Sequence, residues 1–127
     1  MCSEDSESFL RNLWNMDLFY LQELVYVVFV NKANQAITYR CMHAGTCDSV
    51  LIDVKLLIGI IGAVQPSKIL LAHNHPGGRA KPSIADINIT RKIASACRLV
   101  DVEVMDHIIL TENGYYSFKD NRLLEEV

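Results

Sequence analysis

One stretch constrains this chain more than any other: His73-Asn74-His75-Pro76-Gly77-Gly78-Arg79-Ala80-Lys81-Pro82-Ser83-Ile84-Ala85-Asp86, which sets two imidazoles, a hydroxyl and a carboxylate around one turn. Lys68-Ile69-Leu70-Leu71-Ala72 leads into it after Pro66-Ser67, and a short apolar run between turn signals predicts a buried strand. His73 and His75 fall at the carboxyl end of that strand. Residues i and i+2 share a face, so both rings can aim at one point about 2.0 to 2.1 Å from each coordinating nitrogen, the distance zinc takes, while Asn74 points the other way. Pro76 stops the strand, Gly77-Gly78 makes a turn, and Pro82 punctuates a second time. Ser83 then opens a helix as N-cap, Asp86 can bond back to it, and Ile87, Thr90, Ala94 and Cys97 follow at helical spacing as a buried face. A carboxylate in that first turn sits at the positive end of the helix dipole and is held ionised, as a ligand must be. Two neutral imidazoles and one carboxylate make a three-ligand zinc set with a fourth position left for water.

Taken singly, these pieces carry little weight. A His-x-His pair also fits two surface or core histidines, and Ser-x-x-Asp also fits a plain capping box. Joined at this spacing by a strand and a helix start, they point to a metal.

The pattern His-x-His, seven residues, Ser-x-x-Asp, with a separate upstream glutamate, resembles the JAMM (MPN-plus) metalloprotease motif. The segments HNHPxG at 73–78, PSxxDxxxTRK at 82–92 and DHIIL at 106–110 resemble, more narrowly, the JAB domain of the bacterial RadC proteins, long labelled DNA repair proteins. The resemblance runs from about Asp17 to the end, so a leader of residues 1–16, a short helix or docked arm, is expected ahead of a domain at 17–127. It implies the JAB/MPN fold, a mixed sheet flanked by helices in a layered sandwich similar to that of cytidine deaminases. It further implies one zinc ion per chain on His73, His75 and Asp86, Ser83 as a hydroxyl that steadies an oxyanion, and an upstream glutamate as general base. Glu23 takes that role because it stands at the start of the apolar run Leu24 to Val30, whereas Glu4 and Glu7 lie in the polar leader. The implied activity is hydrolysis of a peptide or isopeptide bond. RadC-like proteins usually read HNHPSG, and this chain has Gly77 where that serine would stand, which loosens the loop but removes no ligand.

The rest of the chain is consistent with such a domain. At 127 residues, half of them hydrophobic, it is long enough for one domain with a real core. Ser8 to Asp17 has helical spacing. Leu24 to Val30 and Ala36 to His43, with Asn31 to Gln35 between, predict an antiparallel hairpin whose first strand is central. Asp48-Ser49 can cap a helix carrying Val50, Leu51, Val54, Leu57, Ile58 and Ile61. Leu99 to Val104 alternates apolar and charged residues like a half-buried strand and continues to Leu110; Asn113-Gly114 then turns it into Tyr115 to Phe118. In the pair Asp106-His107, the aspartate is either a partner for a metal-held histidine or half of a polar pair that fixes the strand. His43 reads as solvated or hydrogen-bonded. The order strand, strand, helix, strand, helix, strand, strand gives an α/β or α+β sandwich.

Two other functional classes are weighed against the hydrolase. A nucleic-acid role, after the RadC label, predicts binding that weakens steeply with salt; the formal charge of -3 and the lack of an N-terminal helical DNA-binding module in this sequence count against it. A non-catalytic zinc-stabilised interaction module, with a homodimer among its arrangements, predicts a closed site with four protein ligands. Cys2, Cys41, Cys47 and Cys97 show neither CxxC spacing nor disulfide density, Cys97 reads as a small core hydrophobe, and the acidic N-terminus has no signal-peptide pattern, so the expected location is cytoplasmic. No apolar run is long enough to span a bilayer.

Overall fold

The computed structural model describes residues 2–45 and 52–124. Its centre is a five-stranded mixed sheet in the order β2-β1-β3-β4-β5, from β1 (Glu23–Val30), β2 (Ala36–Gly45), β3 (Lys68–Asn74), β4 (Glu103–Leu110) and β5 (Tyr115–Ser117). The hairpin forms as the β-branched and aromatic run and the asparagine-rich turn predict: Asn31 Oδ1 accepts from the backbone of both Ala33 and Gln35, and Asn34 takes a positive φ. β1 runs antiparallel to β2 and to β3, so it is internal, but the middle of the sheet is β3. The pairing of β3 with β4 is parallel and is bridged by α4 (Ile84–Leu99).

Alternation along β1 and β3 feeds two cores. Val25, Val27, Phe29, Ile69 and Leu71 face α3 (Val54–Val64) and α4, meeting Leu57, Ile61, Ile93 and Cys97. Leu24, Val28, Val30, Leu70 and Ala72 face the other way, onto Leu10 and Trp14 of the α1 (Ser3–Leu13) end and Phe19 of α2 (Met16–Phe19). The result is a three-layer α+β sandwich, the arrangement expected of a JAB/MPN domain. Cys97 is fully buried in the first core, and burial pushes its thiol up to about 11, so it packs as an inert apolar side chain.

Three expectations are corrected. α4 continues through Leu99, which is 87% exposed, and Asp101 turns the chain with φ 59 before β4 starts at Glu103. The alternation at 99–104 therefore spans a helix end and a turn, which over six residues looks the same as a strand edge. On α4 the inward face is Asp86, Thr90, Ile93 and Cys97, and Ile87 and Ala94 are only half-buried; two of the inward residues are polar, so counting apolar residues rotated the face. α3 begins at Val54 behind an Asp53 cap, whose side chain accepts from Leu56 N; the expected caps Asp48 and Ser49, with Val50 and Leu51, lie outside the described residues, as does Cys47.

Candidate metal centre

Three elements converge at the carboxyl end of β3. Antiparallel pairing sets Val25 opposite His73, so the register carried two residues further brings Glu23 alongside His75 on the same face. The N-terminus of α4 delivers Asp86, fixed by a complete capping box in which Ser83 Oγ accepts from Asp86 N at 3.0 Å and Asp86 Oδ2 accepts from Ser83 N at 2.8 Å. Glu23, His73, His75 and Asp86 thus present one donor atom each, all within 4.8 Å of one another, and among the described residues they are the group of three or more histidines, cysteines and acids so arranged. His43 stays outside it.

The distances match what a tetrahedral cation needs. Nitrogens 2.0 to 2.1 Å from zinc at tetrahedral angles lie about 3.3 Å apart. Here His73 Nε2 is 3.0 Å from His75 Nε2 and 3.5 Å from Asp86 Oδ1, and His75 Nε2 is 3.4 Å from Asp86 Oδ2. Glu23 Oε1 stands 3.8 Å from His73 Nε2. His75 Nδ1 lies 2.6 Å from the Arg79 carbonyl, which can only accept, so in the neutral ring the proton sits on Nδ1 and the Nε2 lone pair faces His73. A lone pair held 3.0 Å from another ring nitrogen, with a carboxylate beside both, is satisfied by a proton or a cation. The donor set fits zinc, and its nitrogen and oxygen ligands suit other divalent ions as well.

The two acids of the group are driven apart. Burial with 4% exposure raises the Glu23 carboxyl to about 7, reinforced by the charge of Asp86 and only partly offset by His75. Burial also works to raise Asp86, but its hydrogen bonds with His73 and His75, the charge of His73 and the Ser83 N–H together outweigh it, leaving this carboxyl well below the usual range. His73 is lowered by complete burial, whereas at His75 the contacts with Asp86 and the Arg79 carbonyl overcome desolvation and raise it.

Asn74 holds the scaffold from behind. It points away from the group, as expected, and its fully buried amide accepts from Leu24 N at 2.7 Å and donates to Phe19 O and Gln22 O at 2.8 and 3.1 Å, which pins the backbone on both sides of Glu23. Ser83 is exposed at the mouth; as its oxygen accepts the cap bond, its proton is left to donate outward. Gly77 has no atom within 4 Å of where a Cβ would stand, so a serine there meets nothing, whereas Gly78 has φ +89.

Asp106 is not the partner of a site histidine. Its Oδ1 accepts from His107 N and Lys119 N and its Oδ2 from Ser117 Oγ, so it ties β4 to the turn after β5. Behind His73 there stand instead His107, 2.7 Å from its Nδ1, and Thr90, 2.6 Å from His107 Nδ1. The sequence reading missed both roles; the signal available was that His107 and Asp106, as neighbours on a strand, face opposite sides of the sheet.

Comparison with known proteins agrees with this geometry. The family described as RadC-like JAB domain matches residues 2–123. A UPF0758 protein of Flavobacterium johnsoniae is 38% identical over 98 residues, 77% of this chain and 43% of that protein. One from Photorhabdus laumondii is 36% identical over 99 residues, 78% of this chain and 43% of that protein. One from Pasteurella multocida is 34% identical over 114 residues, 84% of this chain and 51% of that protein. The chain spans about half the length of the curated relatives it matches.

Proposed function

The chain belongs to the RadC-like JAB domain family, and from that membership and the group at the end of β3 we propose a divalent-metal hydrolase, of JAMM type and zinc-dependent, that cleaves peptide or isopeptide bonds. The observation that carries this reading is the pair of ring nitrogens His73 Nε2 and His75 Nε2, 3.0 Å apart and flanked by an ionised Asp86. His73, His75 and Asp86 would hold the ion. When bound, it supplies Lewis acidity that acidifies water and polarises a carbonyl.

The remaining work falls to the chain's own side chains. Two carboxylates pushed in opposite directions divide the labour: Asp86 stays charged and anchors, while Glu23, raised by burial to about 7 without an ion and lower beside one, takes a proton at its carboxylate and returns it to the leaving amine. Asn74 keeps Glu23 from withdrawing with the α2–β1 connection. Ser83, its proton free of the cap bond, donates to the oxygen on which charge develops.

The test is elemental analysis of the purified protein and of His75→Ala, followed by a panel of peptide and isopeptide substrates with Glu23→Gln. One divalent ion per chain, absent from His75→Ala, with turnover falling about 100-fold or more in a metal-loaded Glu23→Gln, is expected. No bound metal in either protein would overturn the proposal and favour a metal-free interaction role.

A further inference from the structure

Behind the group runs a buried chain of hydrogen bonds that no part of the proposed chemistry uses. His73 Nδ1 lies 2.7 Å from His107 Nε2, His107 Nδ1 lies 2.6 Å from Thr90 Oγ1, and Thr90 Oγ1 donates to the Asp86 carbonyl at 2.7 Å. His73 and His107 are fully buried and Thr90 is 1% exposed, so no solvent replaces a missing partner. The chain closes on itself, starting at the main chain of Asp86 and ending beside its side chain.

We propose that Thr90 and His107 are positioning residues that fix which nitrogen of His73 carries its ring proton, and thereby whether the group formed by Glu23, His73, His75 and Asp86 accepts a cation. The inference rests on the metal reading above and extends it to two residues that never touch the ion. Both rings are neutral throughout and only proton positions differ. A hydroxyl has one proton, so the chain has two polarities. With the Thr90 proton on the Asp86 carbonyl, Thr90 Oγ1 accepts from His107 Nδ1–H, His107 Nε2 accepts from His73 Nδ1–H, and the lone pair of His73 Nε2 faces the group. With the Thr90 proton on His107 Nδ1, the bond to the Asp86 carbonyl is given up, the two ring bonds reverse, and an N–H occupies the place of the ligand lone pair. A helical threonine bonding the carbonyl four residues back takes the first polarity, and Thr90 stands in that relation to Asp86. Phe118, stacked on His107 at 4.5 Å and 14°, stops the ring from turning out of line.

Thr90→Val keeps the shape and removes the acceptor. His107 Nδ1–H would then be buried without a partner, so the ring moves its proton to Nε2 and drives the His73 proton onto Nε2. Loss of a partner behind a ligand typically weakens metal binding 10- to 100-fold.

Two measurements test this. Ring ¹⁵N NMR of the metal-free wild type is expected to show His107 and His73 both as Nδ1–H tautomers, and zinc competition against a chelator is expected to give 10- to 100-fold weaker binding for Thr90→Val with Thr90→Ser near wild type. A wild-type His107 carrying its proton on Nε2, or a folded Thr90→Val that binds zinc as tightly as wild type, would overturn the relay. A wild type that takes up no zinc sinks the hydrolase reading instead, and the NMR result still decides the polarity, as it does if Thr90→Val fails to fold.

Discussion

Two aspartates, each 2% exposed, serve opposite sides of the sheet and do opposite things. Asp106 is surrounded by neutral donors whose positions the main chain dictates: His107 N at 2.7 Å, Lys119 N at 3.0 Å and Ser117 Oγ at 2.6 Å. Its carboxyl is raised, burial outweighing those three bonds, and it is complete within the protein. Asp86 faces two imidazoles, each already committed through its other ring nitrogen, and its carboxyl is lowered despite burial. The first environment ties chain segments together; the second holds a negative charge and two ring nitrogens around a point that suits a positive ion. Burial of a carboxylate therefore says little about function until its partners are sorted into fixed donors and groups that can themselves bind a cation.

Substitution separates the two most strongly. Asp106→Ala strands three donors at the junction of β4 and β5 and is expected to destabilise by about 4 kcal/mol, a large part of a small domain's stability, seen as a fall in the denaturant midpoint. Asp86→Ala loses half of a capping box and the carboxylate that His73 and His75 face, so it lowers the midpoint as well, but unlike Asp106→Ala it abolishes stoichiometric metal. A folded Asp106→Ala that also loses its metal, or an Asp86→Ala that keeps it, would erase the distinction.

Proton linkage sharpens it next. The Glu23 carboxyl titrates near 7 in the folded chain and near 4.5 when unfolded, so its contribution is fully present below pH 4.5 and is lost as pH rises through 7. In chelator, wild type should lose on the order of 3 kcal/mol relative to Glu23→Gln between pH 4.5 and pH 8, read from parallel denaturant titrations. On the proposed chemistry activity runs the other way, since a base works only when ionised, and the charge of a bound ion lowers Glu23 from its metal-free value: kcat/KM should climb with pH through a midpoint below 7. A stability difference between the two proteins that is flat with pH would mean that Glu23 is not buried against the group.

The hairpin, β3 and the start of α4 were legible in the sequence because each has a strong local cause: asparagines in a turn, apolar runs bounded by turn signals, Ser83 and Asp86 at capping spacing. The convergence of Glu23 with the histidines was legible only through resemblance, since it depends on the Val25 to His73 register, which nothing local sets. His107 and Thr90 were illegible for the same reason, their partners lying 34 and 17 residues from His107. Of the two readings left open for Asp106, the fold takes the one in which it fixes the strand, because neighbours on a strand face opposite sides and its carboxylate cannot reach the group.

The smallest effects lie in the loop that joins the two halves of the group. Gly78 N bonds His75 O at 3.2 Å, and its φ of +89 turns the chain so that the Arg79 carbonyl reaches His75 Nδ1. An alanine at Gly78 carries backbone strain of about 1 kcal/mol and should also weaken metal retention, because any relaxation moves the carbonyl that fixes the His75 tautomer. Gly77 has neither constraint: its φ is not positive and open space surrounds its Cβ position. Gly77→Ser should change stability by less than about 0.5 kcal/mol. If it nevertheless raises turnover at unchanged metal content, the added hydroxyl acts on substrate beyond the group, and residue 77 tunes the loop beside the group while the anchoring of Asp86 stays as it is.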